Sequence, residues 1–256
     1  MLLDVNKPEL FLVSVLIFFA AVLLRYLFAA GLFYYYYHVK HFAKYERLSK
    51  RKLRKGQLKK EIYWSVWSSA IFAFTGALLY WLWQNGHTAV YMDIFTYGIW
   101  YLPVSLGIIL FLHETYYYWV HRWMHHPKIF RVVHKVHHDS FTPTPWTAFS
   151  FHPWESVLEA IVLPLILLIV PVHIYVLGFY LLVMTLSSVI NHLDIEIYPK
   201  RFQQSIIGQQ FIGATHHHYH HSEFKTNYGL YFTFWDRWMN TESSNMEKAV
   251  NSSTSK

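Results

Sequence analysis

Four apolar stretches constrain the fold of this chain most strongly, because a helix needs about 20 apolar residues to cross a bilayer. The first three cover residues 10–37, 62–83 and 94–112, and the third continues into an aromatic segment. The fourth covers residues 157–190 and is interrupted near Pro171, which indicates a hairpin of two short helices. The pattern predicts an all-α, polytopic membrane bundle with four to five spans.

Composition supports this prediction, since only 14% of the residues are charged and soluble domains carry about 25%. Tyr34–Tyr37 and Tyr116–Trp119 are typical of aromatic belts at the membrane surface. Arg25 lies inside the first stretch, and we interpret it as a snorkelling side chain rather than a functional charge. Residues 1–9 and the long apolar stretch that follows do not resemble a cleavable signal, so we expect the first span to be retained.

The distribution of basic residues predicts the orientation of the bundle. Twenty of the 22 Lys and Arg residues lie in 38–61, 121–155 and 192–256, whereas 1–9 and 84–93 contain only Lys7. Five crossings with an external N-terminus place the basic segments on the cytoplasmic face, as the positive-inside rule requires. We therefore attribute the formal charge of +7 to contact with the membrane surface rather than to nucleic-acid binding.

Three histidine clusters lie in these basic segments. They contain His-x3-His once and His-x2-His-His twice, at His121/His125, His134/His137/His138 and His217/His220/His221. Residues three and four apart share a helix face, so each cluster directs its imidazoles one way. Eight nitrogen donors exceed the needs of one metal ion and suit two ions with open positions. The clusters predict a binuclear, all-histidine metal site in a cytoplasmic helical cap.

Other interpretations of the histidines are weaker. A purification tag would be terminal, and a metal-storage tract would lack the repeated helical spacing. Because the chain has no cysteine, any metal must be held by nitrogen and oxygen. Imidazole suits iron, zinc, copper and nickel, so the ligands alone do not name the metal. The order of ligands also stays open, since His216 could replace His217.

Several residues outside the clusters could support such a site. His192 follows the hairpin and could be a ninth ligand, whereas His152 precedes Pro153 and is interpreted as structural. Carboxylates that accept a hydrogen bond from the other ring nitrogen would orient the ligands, and the candidates are Glu114, Asp139, Glu155, Asp194 and Asp236. Each of these is more typical of a surface or capping position, except Asp236, which lies in an aromatic segment near the last cluster.

A histidine-bound metal pair beneath an apolar bundle favours oxidation of a lipid C–H bond. A zinc-dependent membrane hydrolase is one alternative, but it would need open zinc positions and a carboxylate base inside the motif. A histidine-rich metal transporter is another, but it would need ionisable groups along several spans. The clusters contain no carboxylate, and the spans are apolar apart from Arg25.

The motifs resemble the membrane-bound fatty acid hydroxylase/sterol desaturase superfamily over about residues 95–240. The matching segments are His113-Glu114, 118–125, 134–140, Pro143-Thr144-Pro145, His152-Pro153-Trp154-Glu155, 217–221, Asn227-Tyr228-Gly229 and Trp235-Asp236-Arg237. The first motif has three intervening residues where some hydroxylases have four, and Glu114 stands where relatives often have aspartate. Hydroxylases and desaturases share these motifs, so the pattern does not separate the two reactions.

The resemblance implies an O₂-dependent oxidoreductase that acts on a membrane lipid. It implies two iron ions and an external electron donor, either a ferredoxin or a small haem cytochrome with its reductase. By the same resemblance the metal ligands are His121, His125, His134, His137, His138, His217, His220 and His221, with His192 added less securely. We expect three regions: membrane spans in 1–94 with a basic cytoplasmic loop at 38–61, a catalytic domain at 95–240, and a frayed polar tail at 241–256.

Overall fold

The computed structural model of the chain describes residues 3–252, and it is mostly helical, as predicted. The helices are α1 Pro8–Phe33, α2 Gln57–Gln84, α3 Tyr101–Met124, α4 Pro127–Val133, α5 Lys135–His138, α6 Pro153–Leu167, α7 Ile174–Asn191, α8 Lys200–Gln203, α9 Ala214–Glu223, α10 Phe234–Trp238 and α11 Asn245–Ser252. Shorter turns are the π-helical Tyr34–Lys40 and the 3₁₀ segments Pro145–Phe149 and Gly208–Gln210. Two short strands, β1 Val90–Tyr91 and β2 Val172–His173, pair in parallel.

The long helices α1, α2, α3, α6 and α7 run between the same two ends of the molecule. At one end, Val90 pairs with Val172, which joins the α2–α3 connection to the α6–α7 connection. At the other end, His38 Nε2 lies 2.8 Å from the carbonyl oxygen of Leu193, which joins the end of α1 to the end of α7. The three histidine clusters lie at this second end, which we call the histidine end.

Three helical segments of the described chain are long and apolar enough to cross a membrane: Pro8–Lys40, Gln57–Gln84 and Ile174–Asn191. The predicted third stretch begins as a helix only at Tyr101, because residues 94–100 form turns. Helix α6 has 15 residues, whereas α3 has 24, or about 36 Å at 1.5 Å per residue. The expected four to five crossings therefore remain a prediction, with α3 and α6 as the additional candidates.

The outer surface of α1 is apolar, as a lipid-facing helix requires. Leu24, Phe28 and Leu32 are more than half exposed, while Tyr26 and Ala30 are fully buried against the bundle. A soluble domain rarely exposes such a continuous apolar surface. The side-chain distribution thus agrees with a helix that contacts lipid on one side and protein on the other.

The predicted interruption of the fourth apolar stretch is confirmed. The chain leaves the helical conformation between α6 and α7, where β2 forms. His173 then caps α7, because its side chain accepts a hydrogen bond from the backbone N–H of Tyr175. The hairpin returns the chain to the histidine end, where His192 is the residue that follows α7.

Proline shapes the segment that carries the first two histidine clusters. Helix α3 ends at Met124, and Pro127 is the first residue of α4, where a missing N–H costs nothing. Residues 130–139, which carry the second cluster, do not form one helix, because the chain forms α4 and α5 with a break at His134. His134 has φ −110°, and its Nδ1 atom lies 2.7 Å from Glu155 Oε1.

A buried carboxylate that the sequence motifs do not reveal holds the segment before α6. Glu61 on α2 is 1% exposed and accepts hydrogen bonds from the side chains of Ser140, Thr144 and Thr147. Gln57, one turn earlier, donates to the same carboxylate. These contacts hold residues 140–147 against the start of α2 and thereby position the adjoining histidines.

The polar tail is more ordered than we expected over its described part. Helix α11 covers Asn245–Ser252, and Asn245 donates to the carboxylate of Glu223 on α9. The backbone N–H of Ser243 also donates to Asn227 Oδ1. Residues 253–256 of the predicted tail lie outside the described residues.

Candidate metal centre

All nine histidines that the sequence predicted as ligands come together in two adjacent groups. Within each group, the candidate ligand atoms lie within 4.8 Å of one another. The five-histidine group comprises His121, His125, His134, His138 and His220, and the four-histidine group comprises His137, His192, His217 and His221. All are buried except His125, which is partly exposed. The arrangement could hold two metal ions.

Helical spacing explains how the clusters divide between the groups. His134 and His138 are four residues apart and join one group, while the neighbouring ring of His137 joins the other. Neighbouring residues on a helix point about 100° apart, because a turn contains 3.6 residues. The last cluster divides in the same way. His217 and His221, four residues apart, belong to the four-histidine group, and His220 belongs to the five-histidine group. Each of these two clusters therefore contributes to both groups.

Backbone carbonyls determine which nitrogen of several rings faces the groups. His121 Nδ1 lies 2.8 Å from the Tyr228 carbonyl oxygen, and His220 Nδ1 lies 2.8 Å from that of Thr226. His192 Nδ1 lies 2.7 Å from the carbonyl oxygen of Ser188. A carbonyl oxygen only accepts, so each Nδ1 carries the proton and each Nε2 presents a lone pair.

The short distances between Nε2 atoms show that the residues present fit a metal. His121 Nε2 lies 3.0 Å from His134 Nε2, and His217 Nε2 lies 2.9 Å from His192 Nε2. In the five-histidine group, His134 Nδ1 lies 2.7 Å from Glu155 Oε1. With both Nδ1 atoms donating outward, the facing Nε2 lone pairs of His121 and His134 cannot hydrogen-bond each other. The two lone pairs repel each other at this distance, and a cation bound by both nitrogens would remove the repulsion.

Burial keeps the imidazoles in the neutral form that binds metal. Desolvation lowers the pKa of His137, His138, His217 and His221 well below its ordinary value, and neighbouring imidazoles lower it further. The proton that a free imidazole would take up near neutral pH is thus excluded. The rings offer unprotonated nitrogen to a cation over the physiological pH range.

Glu155 is the carboxylate that touches a candidate ligand directly. It is 1% exposed and pairs with the His134 ring from the first turn of α6. The interpretation of Glu155 as a surface or capping residue is therefore wrong. A carboxylate that orients a histidine in this way strengthens its metal binding.

Two further carboxylates brace the segment that supports His121. Asp236 accepts the backbone N–H groups of Tyr228 and Gly229, as its aromatic surroundings suggested. Glu114 accepts those of Leu230 and Tyr231 and is fully buried, so the surface interpretation of Glu114 is also wrong. At Gly229 a Cβ atom would lie 2.6 Å from the Phe232 carbonyl oxygen, so only glycine fits there.

The remaining sequence candidates lie outside the two groups. Asp139 pairs with Lys60 and Lys135 on the surface, and Asp194 accepts the backbone N–H of Ser49. His152 caps α6 by accepting the Trp154 N–H, so its structural interpretation is confirmed. His216 belongs to neither group, and the structure brings His217 rather than His216 to the other ligands.

A cavity of about 650 Å³ is lined by residues of the five long helices and reaches His192. Its wall is largely apolar and includes Phe18, Leu79, Leu163 and Leu181. Volumes of this order accommodate organic ligands of moderate size. The cavity thus connects the interior of the bundle with the four-histidine group.

Arg25 also lines this cavity. Its Nε atom is buried and has no hydrogen-bond partner among residues 3–252. The interpretation of Arg25 as a snorkelling side chain is therefore not supported, because the side chain contributes to the wall of the cavity.

Comparison with known proteins gives consistent matches. The fatty acid hydroxylase family model matches residues 106–241. Human lathosterol oxidase is 33% identical over 218 residues, which cover 83% of this chain and 68% of that protein. A delta(7)-sterol 5(6)-desaturase of Saccharomyces cerevisiae is 31% identical over 219 residues, which cover 84% of this chain and 56% of that protein. No solved structure matches the chain significantly.

Proposed function

Because this chain belongs to the fatty acid hydroxylase/sterol desaturase superfamily, we propose that it hydroxylates or desaturates a membrane lipid with O₂. The observation that carries the proposal is the convergence of nine histidines into two adjacent groups beside an apolar cavity. The sterol-modifying relatives favour a sterol or a lipid of similar shape as the substrate. The five-histidine and four-histidine groups would each hold one iron ion.

Iron bound in these groups would supply the O₂-dependent oxidising chemistry that an unactivated C–H bond requires. The protein contributes binding, orientation and exclusion of water. Residues of five helices line the cavity, so a lipid bound there would lie against His192 in a largely apolar environment. Such positioning selects the carbon to be oxidised, and the low polarity of the wall limits competing reactions with water.

We further propose that the histidine end faces the cytoplasm. Asp139 at this end is paired with Lys60, which belongs to the basic segment 38–61. The basic segments 38–61 and 121–155 meet at this end, so basic residues lie near the site. These residues could guide an acidic ferredoxin or small haem cytochrome to the metal centre.

Oxygen labelling tests the reaction. Membranes from a host that expresses the protein receive labelled O₂ and a reducing system, and His137→Ala membranes serve as the matched control. Hydroxylation places one labelled oxygen atom in the lipid product, whereas desaturation removes two hydrogens and adds no label. Hydrolysis of a substrate without O₂, together with an unchanged lipid profile, would overturn the proposal.

A reporter experiment tests the orientation independently. We expect a reporter after Lys55 or Thr241 to be cytoplasmic and one near Gly86 to be external, because Gly86 follows α2 at the opposite end of the bundle. A Gly86 reporter on the same side as the Lys55 reporter would refute the proposed crossing of α2.

A further inference from the structure

Besides Arg25, two polar side chains of the cavity wall have no partner among residues 3–252. Glu159 on α6 and Tyr117 on α3 both line the cavity. Among residues 3–252, neither the carboxyl of Glu159 nor the hydroxyl of Tyr117 makes a hydrogen bond or an ion pair. Such groups are costly inside an apolar space unless a ligand or water satisfies them.

Tyr117 lies one helical turn from the five-histidine group, and Glu159 lies one turn from the carboxyl that contacts this group. Tyr117 precedes His121 by four residues, and the two ring centroids are 5.0 Å apart. Glu159 follows Glu155 by four residues, and Glu155 contacts the ring of His134. Four residues correspond to about 6 Å along a helix, so each polar residue lies about one turn from a residue of the candidate metal centre or from the carboxyl that contacts it.

A direct contact holds the two helices together at this level. The hydroxyl of Tyr116 donates to the carbonyl oxygen of Leu158 at 2.9 Å. These residues immediately precede Tyr117 and Glu159 in sequence. The carboxyl and the phenol are therefore presented from two helices whose relative position is fixed, as a defined binding site requires.

The chemistry of the two groups selects one class of ligand. A hydroxyl group both donates and accepts hydrogen bonds, so it complements the Glu159 carboxyl in either protonation state as well as the Tyr117 phenol. A carboxylate ligand would be repelled by ionised Glu159, and a methyl ether could not donate to it. A purely hydrocarbon ligand would leave both groups unsatisfied.

We propose that Glu159 and Tyr117 form a subsite that binds the hydroxyl group of a lipid alcohol, close to the carbon that is oxidised. The inference rests on the proposed function and adds to it the class of substrate. Selectivity follows from the hydrogen bonds, because a site built to bind a hydroxyl rejects an analogue that lacks it.

Competitive binding tests the subsite. The iron-loaded full-length protein, in phosphatidylcholine nanodiscs without O₂ to prevent turnover, is titrated with labelled cholestanol. Cholestanol, cholestanyl methyl ether and cholestane then compete for the site. We expect cholestanol to bind about tenfold or more tightly than the other two, as the hydrogen bonds to a carboxyl suggest.

Variants locate the selectivity. In Glu159→Leu we expect the preference for cholestanol to disappear, and in Glu159→Gln to be reduced, because the amide oxygen still accepts a hydrogen bond. Tyr117→Phe should give an intermediate loss. Ile161→Val is the matched control, since Ile161 lies on the exposed face of the same helix and should keep the full preference.

The outcomes separate the subsite from the proposed function. Equal binding of the three probes, or a full preference retained in both Glu159 variants, overturns the subsite even if O₂-dependent lipid oxidation is observed. If no sterol binds although oxidation occurs, stearyl alcohol, its methyl ether and octadecane replace the probes and the same criterion decides. A preference that depends on Glu159 without any oxidation supports the subsite and refutes the proposed reaction.

Discussion

The five-histidine and four-histidine groups differ in how firmly their rings are held. In the first group, three of the five rings have an Nδ1 partner in the protein, namely His121, His134 and His220. In the second group only His192 has one. The Nδ1 atoms of His137, His217 and His221 are buried without a partner among residues 3–252.

This difference indicates unequal roles for the two positions. A ring whose second nitrogen is hydrogen-bonded is fixed in orientation and is a stronger metal ligand. The five-histidine group should therefore bind its ion more tightly. The four-histidine group includes His192, which lines the cavity. The group whose rings are less firmly held is therefore also the one beside the cavity proposed to bind the lipid.

The largest expected effect is the loss of turnover when any cluster ligand is removed. Alanine at His121, His137, His138, His217, His220 or His221 should abolish lipid oxidation, because each ring lies in one of the two groups. The iron content should separate the groups, with His137→Ala retaining the ion of the five-histidine group. Lipid analysis and elemental analysis of the purified variants measure both quantities.

His87→Ala is the control for these variants, since His87 is exposed and lies far from both groups in the bundle. His38 is a poorer control than its isolation in sequence suggests, because it contacts Leu193 beside His192. Full activity in His137→Ala would contradict the assignment of the four-histidine group.

The second prediction concerns release of the metal to a chelator. We expect two phases, with the four-histidine group losing its ion about 10–100-fold faster, as the difference in ring anchoring suggests. Chelator absorbance over time measures the phases, and His137→Ala should lack the fast one. A single phase that releases both ions would remove the distinction between the groups.

The third prediction concerns the hydrogen bond that holds the His134 ring in the five-histidine group. Glu155→Gln should weaken metal binding in the five-histidine group by about 10–100-fold, because His134 loses a charged acceptor. Competition with a chelator of known affinity measures the change. Asp139→Asn is the matched control on a surface carboxylate, and an equal effect of the two substitutions would show that Glu155 does not act through His134.

The smallest effect is expected at Asp236, which holds the backbone segment whose Tyr228 carbonyl accepts the hydrogen bond from His121. Asp236→Asn leaves one of the Tyr228 and Gly229 N–H groups facing an amide N–H, so we expect a loss of about 1–3 kcal/mol in the free energy of unfolding. Metal affinity should fall only a few-fold, because His121 still reaches the Tyr228 carbonyl. Thermal unfolding with and without iron measures both, and Asp93→Asn in the exposed 85–100 connection is the control. A larger loss of metal than in Glu155→Gln would reverse the expected order.

The helices and the membership of the two histidine groups could be predicted because both depend largely on local spacing. The apolar stretches predict the long helices, the interruption near Pro171 predicts the hairpin, and the intervals of three and four residues predict that the rings of each cluster point the same way. His192 was predicted from its position after the hairpin. Local patterns of this kind need no knowledge of which helices touch.

The anchoring of the rings could not be predicted, because it depends on long-range contacts. The acceptor of His121 is a backbone carbonyl 107 residues away in sequence. Because every residue has such a carbonyl, the sequence does not show which one accepts the hydrogen bond. The role of Glu61 likewise depends on hydroxyl groups in residues 140–147, about 80 residues later, which donate hydrogen bonds to its carboxylate. A carboxylate such as Glu114 looks like a surface residue until the N–H groups that it accepts are known.

Iron content of the purified protein tests the central claim most directly. Protein purified in detergent from an iron-replete host should contain close to two iron ions per chain, and removal of that iron should abolish O₂-dependent lipid oxidation, which iron alone restores. Zinc without activity would be compatible with the site, since imidazole accepts zinc readily. Stoichiometric zinc that sustains full activity after iron is removed would contradict the account.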